Sequence, residues 1–371
     1  MRIAVVILNW NTKDYLRKFL PALLDSIEDF NRGGDGDDFA EAVVADSAST
    51  DGSMEMMAEE FPLVRRIPLD GNYGFTGGYN RAFEELSRDQ FDIFILLNSD
   101  IEVTRGWLRP LAEWMKTHPE CGACGPKLHS WYERDKFEYA GAAGGYVDRF
   151  GYPFCRGRVL KKVETDCGQY DTPADVLWVT GACLAVRAEL WKALGGLDER
   201  FFAHMEEIDL CWRMQLSGHK ATVVPQSLVY HLGGGTLPQN SPQKLYLNYR
   251  NNLLLLDNNL ALTIGRRKAA SRIFFRKILD GCSAAIYLLS FRPEYFKAVW
   301  RAHRDAAKLI EEKRRYGIEN NAHGSATATK GKAGNKVSGL YGGCMIPRAL
   351  LGLKIMLPGL AAQAGPESKT D

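Results

Sequence analysis

The sequence predicts an α/β protein built on a doubly wound sheet and followed by a basic, helical C-terminal extension. Three observations carry this. Short apolar runs alternate with helical patterns over the first hundred residues, the βαβα rhythm of parallel strands joined by crossover helices. Residues 3–8 and 93–97 are continuously apolar, as strands buried on both faces are. Beyond Ser271 the strand signals stop and the chain becomes helical, amphipathic and rich in Lys and Arg.

Taken in order, residues 3–8 form the first strand, and 12–27 carry a helical pattern with Asn11 or Thr12 as N-cap. Residues 42–45 make a second strand, after which Asp51-Gly52-Ser53 opens a Met-rich helix. A third strand at 64–67, a helix at 80–86 and a fourth strand at 93–97 complete the alternation. The rhythm then loosens: a helix at 107–118, irregular hairpins over 136–169, strands at 177–186 and 221–224, and a helix at 206–216 between those two. Residues 31–38 and 319–339 read as polar loop and low-complexity linker. The longest apolar stretch of the extension, 281–291, is too short to span a bilayer. The last apolar segment, 346–362, is interrupted by Arg348, Lys354 and Pro358 and suits a membrane surface better than its interior.

At 371 residues the chain can bury one large core or two smaller ones. A net charge of +2 excludes a nucleic-acid binder over the whole chain. The charge is uneven, however: residues 261–316 hold 14 Lys and Arg against 5 Asp and Glu, a balance suited to an anionic membrane surface. The eight cysteines lack the density of a disulfide scaffold, and Met1-Arg2 leads directly into a strand without a signal-peptide core. A cytoplasmic protein with reduced thiols is expected. Cys121 and Cys124 have zinc-type spacing, but they fall in a small-residue strand and Cys155 and Cys167 lack the matching close spacing, so no zinc site is expected.

Several polar groups sit where chemistry is done. Asn98-Ser99-Asp100 follows the fourth strand, outside the carboxyl end where open α/β sheets bind ligands. A hard divalent cation there would use carboxylate oxygen and share its other positions with phosphates. Asp46 ends the second strand and can accept from a nucleobase imide or a ribose hydroxyl, whereas Asp51 reads as a cap. The Gly71–Gly78 segment, with Asn72, Gly74 and Gly78, permits close backbone approach to a phosphate or sugar. Strand one ends in Asn9-Trp10-Asn11 rather than G-x-G-x-x-G, which counts against a dinucleotide-dependent dehydrogenase. Glu206, Glu207 and Asp209 crowd one helix start; neighbouring like charges raise at least one pKa and suit a general base. Asp209 and Arg213, spaced i, i+4, are expected to be a supporting ion pair. His231 ends a strand before Gly233 and is a candidate ligand. Downstream, Lys244, Tyr246, Tyr249, Arg250 and Asn251 are candidates to clamp a diphosphate.

In order, the segments VVILNWN, VVADSASTDGS, GNYGFTGGYNRAF, ILLNSD, TGACLAVRAELWKALGGLDERFF, EEIDLCWR and that around His231 resemble the family 2 glycosyltransferases of GT-A fold over roughly residues 1–255. The resemblance implies a GT-A-type doubly wound mixed sheet with a C-terminal helical, membrane-apposed extension. It also implies transfer of a sugar from a UDP- or dTDP-sugar to a glycan or lipid-linked acceptor with inversion, using Mg²⁺ or Mn²⁺. Asp46 would read the base; Asp100, with His231, would hold the metal; Glu207 or Glu206 would be the base. Asn9, Asn72, Gly74, Gly78, Asn98 and Arg250 would complete the nucleotide-sugar contacts, and Trp178, Thr180 and Gly181 would line the acceptor or sugar pocket. Two departures stand out: Asn98 replaces the first acid of a D-x-D motif, and Glu207 replaces the usual Asp. On this reading residues 1–103 are the nucleotide-sugar half, 104–260 the acceptor-binding and catalytic half, 261–318 the helical extension, and 319–371 a flexible linker with an apolar end. The enzyme would sit peripherally on the inner face of the membrane. The competing readings are a non-catalytic nucleotide-sugar-binding or scaffold protein and a nucleotidyltransferase. The latter would more naturally carry a phosphate loop with Arg or Lys after strand one.

Overall fold

The structure of the chain, a computed structural model, describes residues 1–33, 38–139, 141–233, 241–316 and 337–346. The first half is the expected alternation. Strands β1 (Arg2–Asn9), β2 (Phe39–Asp46), β3 (Arg65–Pro68) and β4 (Ile93–Asn98) lie parallel in the order β3-β2-β1-β4. They are connected through α1 (Lys13–Arg32), α2 (Ser53–Glu60) and α3 (Gly74–Leu86). Because strand side chains alternate, β1 feeds two cores. Ile3, Val5 and Ile7 join Leu16, Leu20 and Leu23 of α1, while Ala4 and Val6 join Tyr79, Ala82 and Phe83 of α3. Each large side chain buried in this way contributes about 1.5–3 kcal/mol.

After β5 (Ile101–Val103), α4 (Leu108–Thr117) covers the α1 face with Leu111 and Met115, and β6 (Cys121–Ser130) returns to the sheet. A small second sheet follows: β7 (Gly145–Asp148), β8 (Pro153–Cys155), β9 (Arg158–Val159) and β10 (Lys162–Val163). The chain re-enters the main sheet with β11 (Ala174–Val176) and β12 (Cys183–Arg187), then α5 (Ala188–Leu194), α6 (Glu206–Leu216) and the long β13 (Lys220–His231). Among the described residues the main sheet has nine strands in the order β11-β13-β6-β12-β4-β1-β2-β3, with β5 paired to β13. Strand β12 runs antiparallel to both β4 and β6, so the sheet is mixed beyond β4.

The last helices are α7 (Pro242–Ile264), α8 (Arg266–Leu289) and α9 (Pro293–Tyr316). Here the sequence-based divisions shift. The expected boundary at 260/261 falls inside α7, because the run Leu253 to Leu256 is buried in the main core and the helix carries on past it. Residues 337–346 are docked rather than part of a linker: β14 (Leu340–Tyr341) pairs with β7, and Met345 is buried with its N–H on Asp148 at 2.9 Å. The rest of the expected linker, and the apolar segment after Ile346, lie outside the described residues. The expected strand at 177–186 is confined to β12, since the Thr180 hydroxyl accepts from Ala182 N at 3.2 Å and turns the chain before it. The glycine-rich segment is helical from Gly74 onward; a Cβ on Gly78 would lie 2.7 Å from the Leu8 side chain, so that glycine lets α3 approach β1.

The helical extension is bolted to the second sheet by buried charge. Arg276 and Asp280 are 3% and 0% exposed and paired at 2.7 Å. Arg276 also donates to the Phe150 carbonyl (3.1 Å) and to Asn252, and stacks on the Tyr152 ring at 3.9 Å. His303 of α9 meets the other Asp280 oxygen at 3.1 Å. Removing one partner strands the other charge, so Asp280→Ala is expected to cost about 3–5 kcal/mol, measured by urea unfolding; a loss below about 1 kcal/mol would mean that α8 is not held by this pair.

Candidate active site

Register brings the polar strand ends together. Leu8 is opposite Asn98 and Asn9 opposite Asp46, so the carboxyl ends of β1, β2 and β4 open on one crevice. Asp46 is buried and preorganised: its Oδ1 accepts from Asn9 Nδ2 at 2.6 Å and its Oδ2 from Ser49 N at 2.9 Å. Asn9, fully buried, is fixed in turn by the Thr12 hydroxyl at 2.5 Å. Each carboxylate oxygen keeps a second lone pair for a ligand donor. Asp51 caps, as expected: it accepts from Lys13 N at 2.9 Å and Ser53 N at 3.0 Å.

The loop after β4 carries Asp100 against His231, because β5 pairs antiparallel with the end of β13 and sets Ile101 opposite His231. Asp100 Oδ1 is 3.2 Å from His231 Nε2, and His231 Nδ1 is 3.5 Å from Glu138 Oε2. All three side chains are buried. Burial by itself lowers the imidazole, but the two carboxylates outweigh it and raise His231 to about 10. Burial likewise pushes Asp100 up, yet the hydrogen bond and charge of His231 hold it below the usual carboxylate range. Lys244 acts on the same cluster; burial lowers its ammonium and Glu138 partly restores it.

This donor set fits a hard divalent ion. One carboxylate and one imidazole nitrogen face each other across a gap in which positive charge is already favoured. Among the described residues no third His, Cys, Asp or Glu closes a metal site, so a bound ion would take its other ligands from a diphosphate and water.

The third component is the start of α6. The preceding loop holds Phe202, His204 and Met205 at φ of 62, 72 and 71°, a region such side chains rarely adopt and one that must be imposed by the surroundings. The α7 helix imposes it. Asn251 Nδ2 reaches the carbonyls of Phe201, Ala203 and His204 at 3.0, 2.7 and 2.7 Å. Arg250 Nη2 donates to the carbonyls of Arg200 and Phe201 at 3.1 and 2.7 Å. Asp209 pairs with Arg213 at 2.7 Å, as its spacing predicts, and accepts from Asn258 and Asn259 of α7 at 2.9 and 2.8 Å. Held this way, Glu207 stands beside Gly181, where a Cβ would lie 3.4 Å from that of Glu207. The neighbouring Ala182 carbonyl accepts from Asn98 N at 2.9 Å, which ties the two carboxylate centres to one wall.

The two glutamates differ. Glu206 is 4% exposed and its Oε2 has no hydrogen-bond partner; burial, then the charge of Glu207, raises it far above an ordinary carboxyl. Glu207 keeps a solvent-accessible edge. Burial raises it to about 7, moderated by the N–H groups of the helix start. Beside them, burial and then the Lys244 charge depress His204 to about 4.

The other expected site residues are distributed unevenly. Gly181 borders Glu207, Thr180 is buried beside Gly141, and Asn98 is half-buried at the end of β4. Asn72 Oδ1 accepts from Gly74 N at 2.9 Å, so it anchors the start of α3, and Gly74 clears Phe202 there, where a Cβ would come within 2.5 Å of the ring. Trp178 is buried in the inter-sheet core, flat against Gly145 with its N–H on the Tyr146 carbonyl at 3.3 Å; Arg250 is committed to the loop carbonyls. Glu138 was missed altogether, because it lies in sequence with no periodic signal and gains meaning from His231 alone. The hollow of about 280 Å³ between Trp114, His118 and Lys220 lies at the opposite end of β6, and one of about 410 Å³ lies along α1 against Val103 and Arg105.

The mixed sheet, which gathers Asp46, an Asp–His pair and a raised carboxyl at its strand ends, has the GT-A fold. Residues 4–169 match the model of glycosyl transferase family 2. The chain is 28% identical over 201 residues to the N-acetylglucosaminyl-diphospho-decaprenol L-rhamnosyltransferase of Mycobacterium tuberculosis, covering 51% of this chain and 65% of that one. It is 28% identical over 171 residues to the O-antigen biosynthesis protein RfbC of Myxococcus xanthus, covering 46% of this chain and 13% of the relative. The chain thus spans less than two thirds of the length of these relatives. S. aureus TarS 1-349, solved with UDP-GlcNAc, shares the fold at TM-score 0.51 and 16% identity, covering 85% of this chain and 92% of that one.

One consequence concerns stability. The folded protein keeps a proton on Glu206 at pH values where the unfolded carboxyl, near about 4.3, has lost it. Unfolding then releases that proton, so stability falls as pH rises above that value. Glu206→Gln removes the loss, and its Tm relative to the parent should increase between about pH 5 and about pH 8 in thermal melts. An unchanged difference would mean that Glu206 is ionised in the fold.

Proposed function

We propose that this chain is an inverting glycosyltransferase that moves a sugar from a nucleoside-diphosphate sugar to an acceptor hydroxyl. The observation that carries the reading is the raised, partly accessible Glu207 carboxyl at the wall shared with Asn98 and Asp100. At neutral pH a carboxyl near 7 is poised both to be ionised and to take a proton. In the reaction the bond from the anomeric carbon to the diphosphate oxygen breaks while the acceptor oxygen bonds to that carbon from the opposite face. The acceptor proton passes to Glu207, and the electron pair leaves with the diphosphate. The state between is oxocarbenium-like, as in glycoside hydrolysis.

Asp46, held by Asn9 and Ser49, would accept from the base imide or a ribose hydroxyl. Asp100 and His231 would hold Mg²⁺ or Mn²⁺, which supplies charge neutralisation for the diphosphate. Glu138 would orient His231 through its second nitrogen, and Thr180 and Gly181 would border the sugar beside Glu207. Of the two glutamates, Glu207 is our base: Glu206 is buried and stays protonated. The donor would be a UDP- or dTDP-sugar, and the similarity to an N-acetylglucosaminyl-diphospho-decaprenol L-rhamnosyltransferase and an O-antigen biosynthesis protein supports a glycan or lipid-linked acceptor in cell-surface glycan assembly. Cys167 and Cys282 are exposed free thiols, which suits a reducing compartment and so the cytoplasmic face of the membrane.

The test is a nucleotide-sugar panel with acceptor membranes, read by release of nucleoside diphosphate with and without Mn²⁺. Glu207→Gln should lower kcat by about 100- to 10,000-fold with donor binding retained. Because Glu207 must be ionised, log kcat/KM should climb with unit slope up to about pH 7 and then level, with the climb absent in the variant. Asp100→Ala should abolish metal-dependent turnover. Donor binding without turnover under every acceptor condition would instead support the non-catalytic reading.

A further inference from the structure

Helix α8 has its amphipathicity reversed. The stripe turned toward the protein carries Ala269, Arg276, Asp280 and Ala284, including the buried ion pair. The stripe turned outward carries Phe274, Ile278 and Ile286 at 61, 46 and 62% exposure, with Phe275 at 52% and Leu289 at 79%. Steps of three, four and eight residues, the last about two helical turns, put these side chains on one face of α8. The face continues into the α8–α9 turn, where Phe291 is 93% exposed. Single exposed apolar residues are ordinary on a protein surface, but a contiguous apolar face marks a contact with something other than water.

Charge identifies the occupant. Arg266, Arg267 and Lys268 stand exposed at the start of the helix, Lys277 along it, and Arg292 and Lys297 just past its end. An isologous contact with a second copy would set basic ends against basic residues in either orientation, a repulsive arrangement. The segment after Ile346 carries Arg348 and Lys354 and no carboxylate before Glu367, so it would add positive charge rather than balance it. A bilayer with anionic headgroups satisfies both features: acyl chains for the phenylalanines, isoleucines and leucine, and phosphates for the arginines and lysines. No described helix is long and apolar enough to cross a membrane, which is consistent with a helix lying in the interface plane.

We infer that α8 is an in-plane membrane anchor that docks the transferase on an anionic lipid surface through Phe274, Phe275, Ile278, Ile286 and Leu289. This deepens the membrane-side reading above by naming the contact, and it needs neither donor nor acceptor to be tested. Its failure is therefore separable from failure of the transferase assignment.

The experiment is sedimentation of the full chain with vesicles of phosphatidylcholine alone, or containing about one quarter phosphatidylglycerol. The parent should partition to the anionic vesicles about tenfold or more in excess of the neutral ones. Phe275→Glu with Ile286→Glu, both at exposed positions, should lose about tenfold or more of that partitioning with an unchanged Tm. Arg266→Glu with Arg267→Glu and Lys268→Glu should lose the preference for anionic lipid while keeping weak binding to both. The inference is overturned if the parent stays in the supernatant with anionic vesicles, or if the apolar double variant binds as the parent does. It is equally overturned if sedimentation velocity without lipid shows a dimer that the apolar double variant dissociates, for the face then belongs to a second copy.

Discussion

The polar stripe of α7 is the constraint on which the rest depends. Asn251 and Asn252 lie one heptad before Asn258 and Asn259, and their amides reach three different parts of the molecule. Asn251 holds the strained loop before α6, Asn258 and Asn259 hold Asp209 within it, and Asn252 reaches the second sheet through Gly151 and Arg276. Three of these asparagines are fully buried, where a polar group without a partner would cost more than its hydrogen bonds contribute. The stripe therefore favours the register in which all four amide nitrogens find acceptors, with only the Asn259 Oδ1 left without a partner among these side chains, and that register sets where Glu207 sits. Catalytic helix, second sheet and helical extension are in this sense one unit. Leu254 and Leu255, on the same helix and fully buried, supply the apolar attachment that makes the arrangement affordable.

Opposed electrostatic effects divide the labour among the acids. At the start of α6 the helix dipole and backbone N–H groups favour an ionised carboxyl, while burial opposes it. Glu207 receives those N–H groups and stays near 7; Glu206, deeper and lacking a partner on one oxygen, remains protonated. At the Asp100 centre the balance is reversed. There His231 lies between two carboxylates, and their attraction outweighs the burial of its imidazole. On the function proposed above, one centre would hold positive charge beside a diphosphate and the other would accept a proton, and separating environments in this way is how a single fold assigns roles to several carboxyls.

Helix α8, the proposed anchor, follows the same logic from outside. An amphipathic helix on a soluble domain buries its apolar stripe, and α7 does so. Helix α8 instead spends its inner stripe on Arg276 and Asp280 and leaves phenylalanine and isoleucine outside. The proposed anchor and the candidate site share α7 as their common neighbour, since Asn252 receives the Arg276 guanidinium and Asn251 holds the loop before Glu207.

Much of the architecture was legible because it is periodic. The continuous apolar runs of β1 and β4, the acidic start of α6 and the i, i+4 pair of Asp209 and Arg213 are all local, and the structure keeps them. Reading failed where a residue's job is set by a distant one. Arg250 has the look of a phosphate ligand but spends its donors on carbonyls some fifty residues earlier. Trp178 looks like a sugar platform but is packed against Gly145, and Gly78 looks like phosphate chemistry but clears the way for Leu8. Glu138 had no signal at all until β5 paired with β13 and brought His231 to Asp100. Local sequence by itself determined the strands, the helices and the types of group at the strand ends, because periodicity and end position are properties of the chain. Only the tertiary structure decided which of those groups meet, which carboxyl stays protonated and which face of the last helices remains bare, because burial and pairing are properties of the packed molecule.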